Sequence, residues 1–419
     1  ELKRIVEDLK RGKACGFDSL AAEHLKYADE RLCVLLSMCF SAMLVHGHLP
    51  DVFMHTVIVP IVKNKAGDLH SKCNYRPIAL TTVRSKVMER ILLNICQDKL
   101  NTCDNQFGFK KGLSTDTCLF TFKQIIDYYR SNNSPLFVCC LDASKAFDRV
   151  NHWSLFKVLL NKGLPIFIVR ILIFWYQKQM FCTQWGTSIS DWFTTVNGVR
   201  QGGILSPKLF NIYMDGLSSR LIYSEVGCNI NGKCVNHLMY ADDLTLLSPS
   251  AKGMQKLLDI CQSFAIEFDI LFNTTKSVCL YFESKKFKLL TIPYVMLDGK
   301  RIEYVDSYKL LGMVIENSGS DKKDIARQIR SLYFRANMLV RKFSSCSYQV
   351  KRQLFMSYCT NLYCVQLWSV YTAGQLQKLR VAYNNSFRRL FKLPFRCSAS
   401  EIFEYNAVLT LIRYARELL

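Results

Sequence analysis

The chain has 419 residues, room for about three folding units of roughly 150 residues, each able to bury a core. Half of its residues are apolar or aromatic and only 21% are charged, which excludes a disordered tail. Lys and Arg number 55 against 34 Asp and Glu, a net charge of +21, so the expected partners are polyanions: nucleic acid first, then an anionic membrane surface.

From Leu2 to about His48 the pattern predicts helices, with a loop at Lys13-Ala14-Cys15-Gly16-Phe17-Asp18. Thr56 to Val62 is rich in β-branched residues and predicts a strand, with Pro60 marking it as an edge strand. A polar loop from Lys63 to Lys72 follows, and a helix is expected from about Arg84 to Leu100. The longest apolar stretch, Leu164 to Tyr176, is broken by Arg170 and is too short for the ~20 residues that cross a bilayer. No transmembrane span, and no membrane partner, is expected. The eighteen cysteines are scattered, without a Cys-x-x-Cys pair or zinc spacing, and read as reduced, mostly buried thiols. The chain opens at Glu1 without a signal-like segment and stops at Leu419 inside a helical pattern, so a longer parent polypeptide is expected.

Two short segments carry the chemistry. Leu136-Phe137-Val138-Cys139-Cys140-Leu141 is continuous and apolar after the turn-forming Asn132-Asn133-Ser134-Pro135, which predicts a strand buried on both faces that delivers Asp142. Asp242-Asp243 lies between Leu238-Met239-Tyr240 and Leu244-Thr245-Leu246-Leu247, a pattern suited to a tight hairpin. Buried carboxylates without partners are costly, and a divalent cation resolves that cost. Ligands that are all oxygen favour Mg²⁺, with Mn²⁺ as a substitute, and in two-metal phosphoryl transfer the ions, about 4 Å apart, clamp the attacking and leaving oxygens. Asp142 and Asp242 are the expected bridging pair, with Asp243 as the third ligand.

Further along, Ser206-Pro207 is expected to be the N-cap and first-turn proline of a helix with Leu209, Phe210, Tyr213, Met214 and Leu217 inward. Beyond about Asp321 the strand signal fades into helical spacing, and residues 321–419 hold seventeen Lys or Arg against five Asp or Glu, so +12 of the +21 sits there. Arg327 and Arg330 lie three apart, with Arg341 and Lys342 further on, which suggests a face that tracks phosphates. Tyr333, Phe334 and Tyr348 read as core packing rather than base stacking.

Tyr240-Ala241-Asp242-Asp243 resembles the signature of reverse transcriptases, and its surroundings resemble those of non-long-terminal-repeat (LINE-type) retrotransposons. The matching segments run in family order: Gly16-Phe17-Asp18, Asn74-Tyr75-Arg76-Pro77-Ile78-Ala79-Leu80, Gln106-Phe107-Gly108-Phe109-Lys110-Lys111-Gly112 and Leu141-Asp142-Ala143-Ser144-Lys145-Ala146-Phe147-Asp148. Gly198-Val199-Arg200-Gln201-Gly202-Gly203-Ile204-Leu205-Ser206-Pro207, Asn273-Thr274-Thr275-Lys276 and Tyr308-Lys309-Leu310-Leu311-Gly312 complete the set, over roughly residues 13–345. Ile204 and Cys15 stand where the family usually has Pro.

The resemblance implies an α+β right-hand polymerase: fingers, a palm of antiparallel sheet covered by helices, and a helical thumb. Residues 1–55 would form an N-terminal helical extension, 56–135 the fingers, 136–320 the palm with part of the fingers and the primer-grip hairpin, and 321–419 the basic thumb. It also implies DNA synthesis from dNTPs on an RNA template and a DNA primer, with two Mg²⁺ held by Asp142, Asp242 and Asp243. Phe147 falls at the steric-gate position, where a ring under the sugar excludes a 2′-hydroxyl. Backbone amides of Lys145 and Ala146 would cradle the triphosphate, with cationic contacts from Lys63 or Lys65 and from Arg76. Gln201 would touch template or nucleotide, Gly202 and Gly203 would let backbone approach the nascent pair, and Lys276 would protonate the leaving pyrophosphate. Leu310, Leu311 and Gly312 resemble the primer grip.

The competing readings are another palm-type polymerase (a group II intron or telomerase-like enzyme, or an RNA polymerase, which Phe147 disfavours) and a decayed copy that only binds nucleic acid. The joint presence of Asp142, Asp242, Asp243, Gln201, Gly202 and Lys276 stands against decay. Family endonuclease and Cys/His-knuckle segments are not seen in this stretch, so primer extension without target nicking is expected. Nucleus and cytoplasm are family inferences; protein partners are not legible.

Overall fold

The computed structural model describes residues 1–284, 286, 289–394, 396–398 and 403. Helices α1 (Leu2–Glu7), α2 (Ala22–Lys26) and α3 (Glu30–His46) precede strands β1 (His55–Val62) and β2 (Tyr75–Leu80), then α4 (Val83–Ile95) and α5 (Thr115–Ser131). Strand β3 (Leu136–Asp142) leads through the single turn α6 (Ala146–Arg149) to α7 (His152–Asn161) and α8 (Ile166–Lys178). Strands β4 (Met180–Trp185), β5 (Ser188–Ile189) and β6 (Phe193–Thr194), helix α9 (Ser206–Tyr223) and a small hairpin of β7 (Asn229–Ile230) and β8 (Lys233–Cys234) come next. They are followed by β9 (His237–Tyr240), β10 (Asp243–Ser248), α10 (Ala251–Glu267) and β11 (Val278–Phe282). The short strands β12 (Met296–Leu297), β13 (Lys300–Arg301) and β14 (Glu303–Tyr304), then β15 (Ser307–Leu310) and β16 (Met313–Glu316), lead to α11 (Lys322–Phe343), α12 (Tyr348–Cys359) and α13 (Ala373–Leu390). The helical pattern at Leu419, with Arg413 and Arg416, lies outside the described residues.

The central sheet runs β14-β11-β3-β10-β9. Because side chains alternate along a strand, β3 feeds two cores. Leu136, Val138 and Cys140 pack with Leu119, Phe122 and Ile126 of α5, and Phe137, Cys139 and Leu141 with apolar residues of α9 and α10. Burial on both faces, expected from the unbroken apolar run, is what the strand shows.

A second sheet joins β1 to β2 in antiparallel and to β4 in parallel register. This corrects the edge-strand expectation for β1. Strand β4 pairs only with residues 55–58, whereas Pro60 lies beyond it and faces Pro77. The proline therefore removes no hydrogen bond on the β4 side. Residues 55–58 are thus interior to the sheet, and the half of β1 that holds Pro60 is an edge.

A buried ion pair joins α4 to the loop before α9. Glu89 on α4, with no exposure, accepts from Arg200 Nη2 at 2.7 Å, while Arg200 lies over the Trp175 ring at 4.4 Å. The same carboxylate accepts Ile204 N at 2.5 Å and Leu205 N at 3.2 Å. Ser206 is accordingly the first residue of α9 rather than its N-cap, which is Leu205 without a side-chain cap. Glu89 does the capping instead, because a carboxylate satisfies the orphan amides at a helix entrance. Leu209, Phe210, Tyr213, Met214 and Leu217 all point inward, as expected.

The C-terminal helices grip the centre through two buried acids. Asp321 accepts from Lys123 Nζ and from the amides of Ser369 and Val370, each at 2.8 Å. Asp324 accepts from Val314 N, Arg327 Nε and Trp368 Nε1. Arg327 is thus committed to Asp324 at 2.7 Å, which removes it from the expected phosphate face. Phe334 is 74% exposed and Tyr348 44%, so neither is the core residue expected; Phe334 sits with Arg330, Asn337 and Arg341 on the exposed stripe of α11.

Glu89→Ala leaves Arg200 buried without its counter-ion and Ile204 and Leu205 without an acceptor. Loss of about 3–5 kcal/mol is expected in urea unfolding, with a smaller loss for Glu89→Gln. Unchanged stability in Glu89→Ala would contradict this role.

Candidate active site

Strand β3 ends at Asp142, and β10 begins at Asp243, its register partner across the ladder. Asp242 sits in the turn between β9 and β10, where Ala241 takes the left-handed conformation at φ 58°. That turn is built from outside the hairpin. Phe107 N donates to Met239 O and Met239 N to Asn105 O, so residues 105–107 run beside β9. Gln106 Oε1 then accepts Ala241 N at 3.0 Å and Gly108 N at 2.9 Å. A Cβ on Gly108 would lie 2.4 Å from Ala241 N, which only glycine permits. The Gln106-Phe107-Gly108-Phe109 segment was noticed in the sequence, but Gln106 and Gly108 were not singled out as the clamp on the Asp turn.

From the other side, Asn273 N donates to Asp142 O at 2.8 Å, and Asp142 N to Ser277 Oγ at 3.2 Å. Asn273 Oδ1 accepts the amides of Thr275 and Lys276. The loop with Lys276 is therefore fastened to the end of β3, and Lys276 is exposed.

Burial pushes the Asp243 carboxyl up to about 6, with Asp242 and then Asp142 adding repulsion. Asp242 is raised too, first by burial and then by Asp142, while Arg76 on β2 pulls it down. The charge of Arg76 is thus felt at Asp242. Among the described residues no three His, Cys, Asp or Glu side chains are arranged to hold an ion by themselves. Neighbouring carboxylates that offer oxygen alone suit a hard cation that completes its shell with water and phosphate.

Phe147 follows five residues after Asp142. Its ring stacks on Phe210 at 4.5 Å and 14°, meets Phe109 edge-on at 6.3 Å, and stays half-buried. Lys145 begins α6 in the left-handed conformation at φ 49°, and Ala146 is buried. A cleft of about 640 Å³ beside this turn is lined by Lys63, Tyr75, Lys145, Asp148, Trp185 and Gln201, among others. Lys65 is exposed in the neighbouring loop and lies outside that lining. Gly202, at φ 115°, would place a Cβ 3.0 Å from Ala79 O; the close approach it permits here is to β2. Leu311 and Gly312 form the turn between β15 and β16, held by Tyr363, whose hydroxyl donates to Leu311 O at 2.8 Å.

Carboxylates at paired strand ends, a helix-covered antiparallel sheet and a second sheet with basic residues facing the cleft are the parts of a right-hand polymerase. The chain belongs to the reverse transcriptase (RNA-dependent DNA polymerase) family, whose model matches residues 62–315, and its relatives place it with non-LTR retrotransposons. It is 28% identical over 325 residues to the Pol polyprotein of a type-1 R2 element from Nasonia vitripennis, covering 75% of this chain and 30% of that protein. It is 24% identical over 421 residues to the RNA-directed DNA polymerase from mobile element jockey of Drosophila melanogaster, covering 96% of this chain and 44% of that protein. The chain therefore spans less than half the length of these curated relatives. Apo telomerase from Candida tropicalis is similar over 90% of this chain and 63% of that one, at TM-score 0.48 and 13% identity. No helix among the described residues is long and apolar enough to cross a membrane.

The raised Asp243 fixes a sign. The fold binds this proton more tightly than the unfolded chain, where Asp titrates near about 3.9. Metal-free stability therefore falls through this group as pH rises from about 4 to about 6, and stays lowered above that. The side chain opens to solvent, so the effect is screened and modest. In chelator at pH 7.5, Asp243→Asn should melt above the parent, with the gap closing near pH 4 and on adding Mg²⁺. A gap independent of pH would contradict the crowding.

Proposed function

We propose that this chain is an RNA-directed DNA polymerase that extends a primer 3′-hydroxyl with dNTPs on an RNA template by two-metal phosphoryl transfer, within a non-LTR retrotransposon. The observation that carries this reading is the register pairing of Asp142 with Asp243 next to Asp242, in a chain of this family. Residues 1–55 are its N-terminal extension, 56–135 fingers, 136–320 palm with part of the fingers, and 321–419 thumb. The parallel pairing of β1 with β4 supports a fingers sheet drawn from both segments.

Asp142, Asp242 and Asp243 would hold two Mg²⁺, or Mn²⁺ in their place. Such ions lower the pKa of a bound hydroxyl and neutralise charge on the leaving oxygen. The chain's own residues do the rest. Arg76, Lys63 and Lys145 bring positive charge to the triphosphate, with backbone at Lys145 and Ala146 along its path. Phe147, braced by Phe210 and Phe109, fills the space a 2′-hydroxyl would need. Gln201 and Gly202 shape the wall against β2, and Lys276 donates a proton to pyrophosphate. The hairpin at Leu310, Leu311 and Gly312 presses on the primer, and Arg330 and Arg341 on α11 face the duplex backbone.

The test is primer extension on poly(rA) or a mixed RNA template with Mg²⁺ and dNTPs. The parent should extend, and a variant with Asp242 and Asp243 both changed to Asn should lose at least about a thousandfold in rate, as expected when ligands to reacting oxygens go. Phe147→Val should admit ribonucleotides. A folded parent that binds primer-template but does not extend it would contradict the activity, and unchanged sugar selectivity in Phe147→Val would contradict the gate.

A further inference from the structure

The turn between β15 and β16 is held by a residue from a distant part of the chain. Leu310 pairs with Met313, so Leu311 and Gly312 are the whole loop of the hairpin, at φ 44° and 93°. Two left-handed residues suit a two-residue turn between twisted strands, but its usual sequence is Asn-Gly or Asp-Gly. A leucine takes that conformation only at a cost, and such strain persists where the surroundings over-determine it. Here they do so through Tyr363, in the segment between α12 and α13. Its Oη lies 2.8 Å from both Leu311 O and Thr115 Oγ1. A carbonyl only accepts, so the phenolic proton goes to Leu311 and the Thr115 hydroxyl donates to the phenol oxygen. Burial pushes the phenol up to about 12, so it keeps that proton at working pH. The ring covers the other half of the turn: a Cβ on Gly312 would lie 2.8 Å from Tyr363 Cε1.

The Tyr363 segment is itself fixed on two sides. From α11, Gln328 Nε2 donates to Tyr363 O at 2.7 Å and Arg335 Nη1 to Asn361 O at 2.9 Å. At the start of α5, Asp116 accepts from Cys364 Sγ at 3.2 Å and from Gln366 Nε2 at 2.8 Å. Cys364 is a second non-glycine residue in the left-handed region, at φ 61°. One hydroxyl thus joins the start of α5, the β15–β16 turn and the C-terminal helices. Helix α5 packs on β3, the strand that ends at Asp142, so the turn is referenced to the carboxylates through rigid elements. A phenylalanine would fill the same space, so packing alone does not call for the hydroxyl. We propose that Tyr363 is a positioning residue for the primer: by fixing Leu311 and Gly312 against α5, it sets where the primer 3′ end lies relative to the aspartates and makes that placement depend on the C-terminal helices. This rests on the polymerase reading above, in which the hairpin presses on the primer.

The experiment compares pre-steady-state extension by the parent, Tyr363→Phe, Thr115→Val and the double variant on a primed RNA template with Mg²⁺ and dNTPs. Tyr363→Phe removes one hydroxyl and keeps the ring on Gly312. Its burst rate at saturating dNTP should fall about tenfold, the scale of one hydrogen bond, with dNTP affinity and the preference for dNTP over NTP unchanged. The burst amplitude, which counts competent complexes, should match the parent, whereas a merely loosened fold lowers the amplitude and leaves the rate. Thr115→Val should lose less, because Leu311 O keeps its donor, and should add nothing in the Tyr363→Phe background. An unchanged rate in folded Tyr363→Phe overturns the proposal, and so does a fall confined to the amplitude. If the parent fails to extend, the polymerase reading falls separately. Photocrosslinking from a primer that ends in thiothymidine, annealed to RNA, then decides. A parent crosslink to residues 307–316 that weakens in Tyr363→Phe supports the proposal; none in the parent, or equal yields in both, overturns it.

Discussion

Carboxylate crowding at the ends of β3 and β10 is the constraint from which the rest of the structure follows. Asp142 and Asp243 face each other across a ladder whose strands are otherwise free of charge, and Asp242 occupies the adjoining turn. Like charges this close destabilise the fold unless something restrains them. The restraint comes from three directions: Gln106 and Gly108 on the turn, the Asn273–Ser277 loop on the end of β3, and the charge of Arg76 from the neighbouring sheet. Each belongs to a different stretch of chain, so the site forms only when the whole centre has folded.

The fingers-side wall depends on a second buried charge. Glu89 serves Arg200, Ile204 and Leu205 at once. A single α4 carboxylate thereby sets the path of residues 200–205, including Gln201 and Gly202, against β2. A buried ion pair is a weak source of net stability, and this one leaves Arg200 Nε and Nη1 without hydrogen-bond partners, but it fixes one arrangement of the loop. Here it converts a glycine-rich loop into a fixed wall.

Much of the site was legible because its signals are local. Six apolar residues before Asp142 and the short runs on either side of Asp242-Asp243 have one economical folding each, and both were read correctly. What escaped depends on partners far apart in the chain. Glu89 looks like an ordinary helix-surface charge until Arg200, 111 residues later, is brought to it. Tyr363 stood in no noticed segment, and its bond to Leu311, 52 residues away, has no sequence signature. The parallel join of β1 to β4 was hidden by Pro60, and the commitment of Arg327 to Asp324 by a three-residue spacing that also suits a phosphate-facing stripe. Phe334 was misassigned because helical periodicity tells which residues share a face, not whether that face is covered.

Central to this account is the proposal that Asp142, Asp242 and Asp243 together hold divalent cations. Electron paramagnetic resonance of Mn²⁺ titrated into the chain with primer-template and a non-extendable nucleotide tests it most directly. About two tightly bound ions per chain are expected in the parent, both lost when Asp142 and Asp242 are changed to Asn while primer-template binding persists. Equal Mn²⁺ uptake by the parent and that folded variant would contradict the claim.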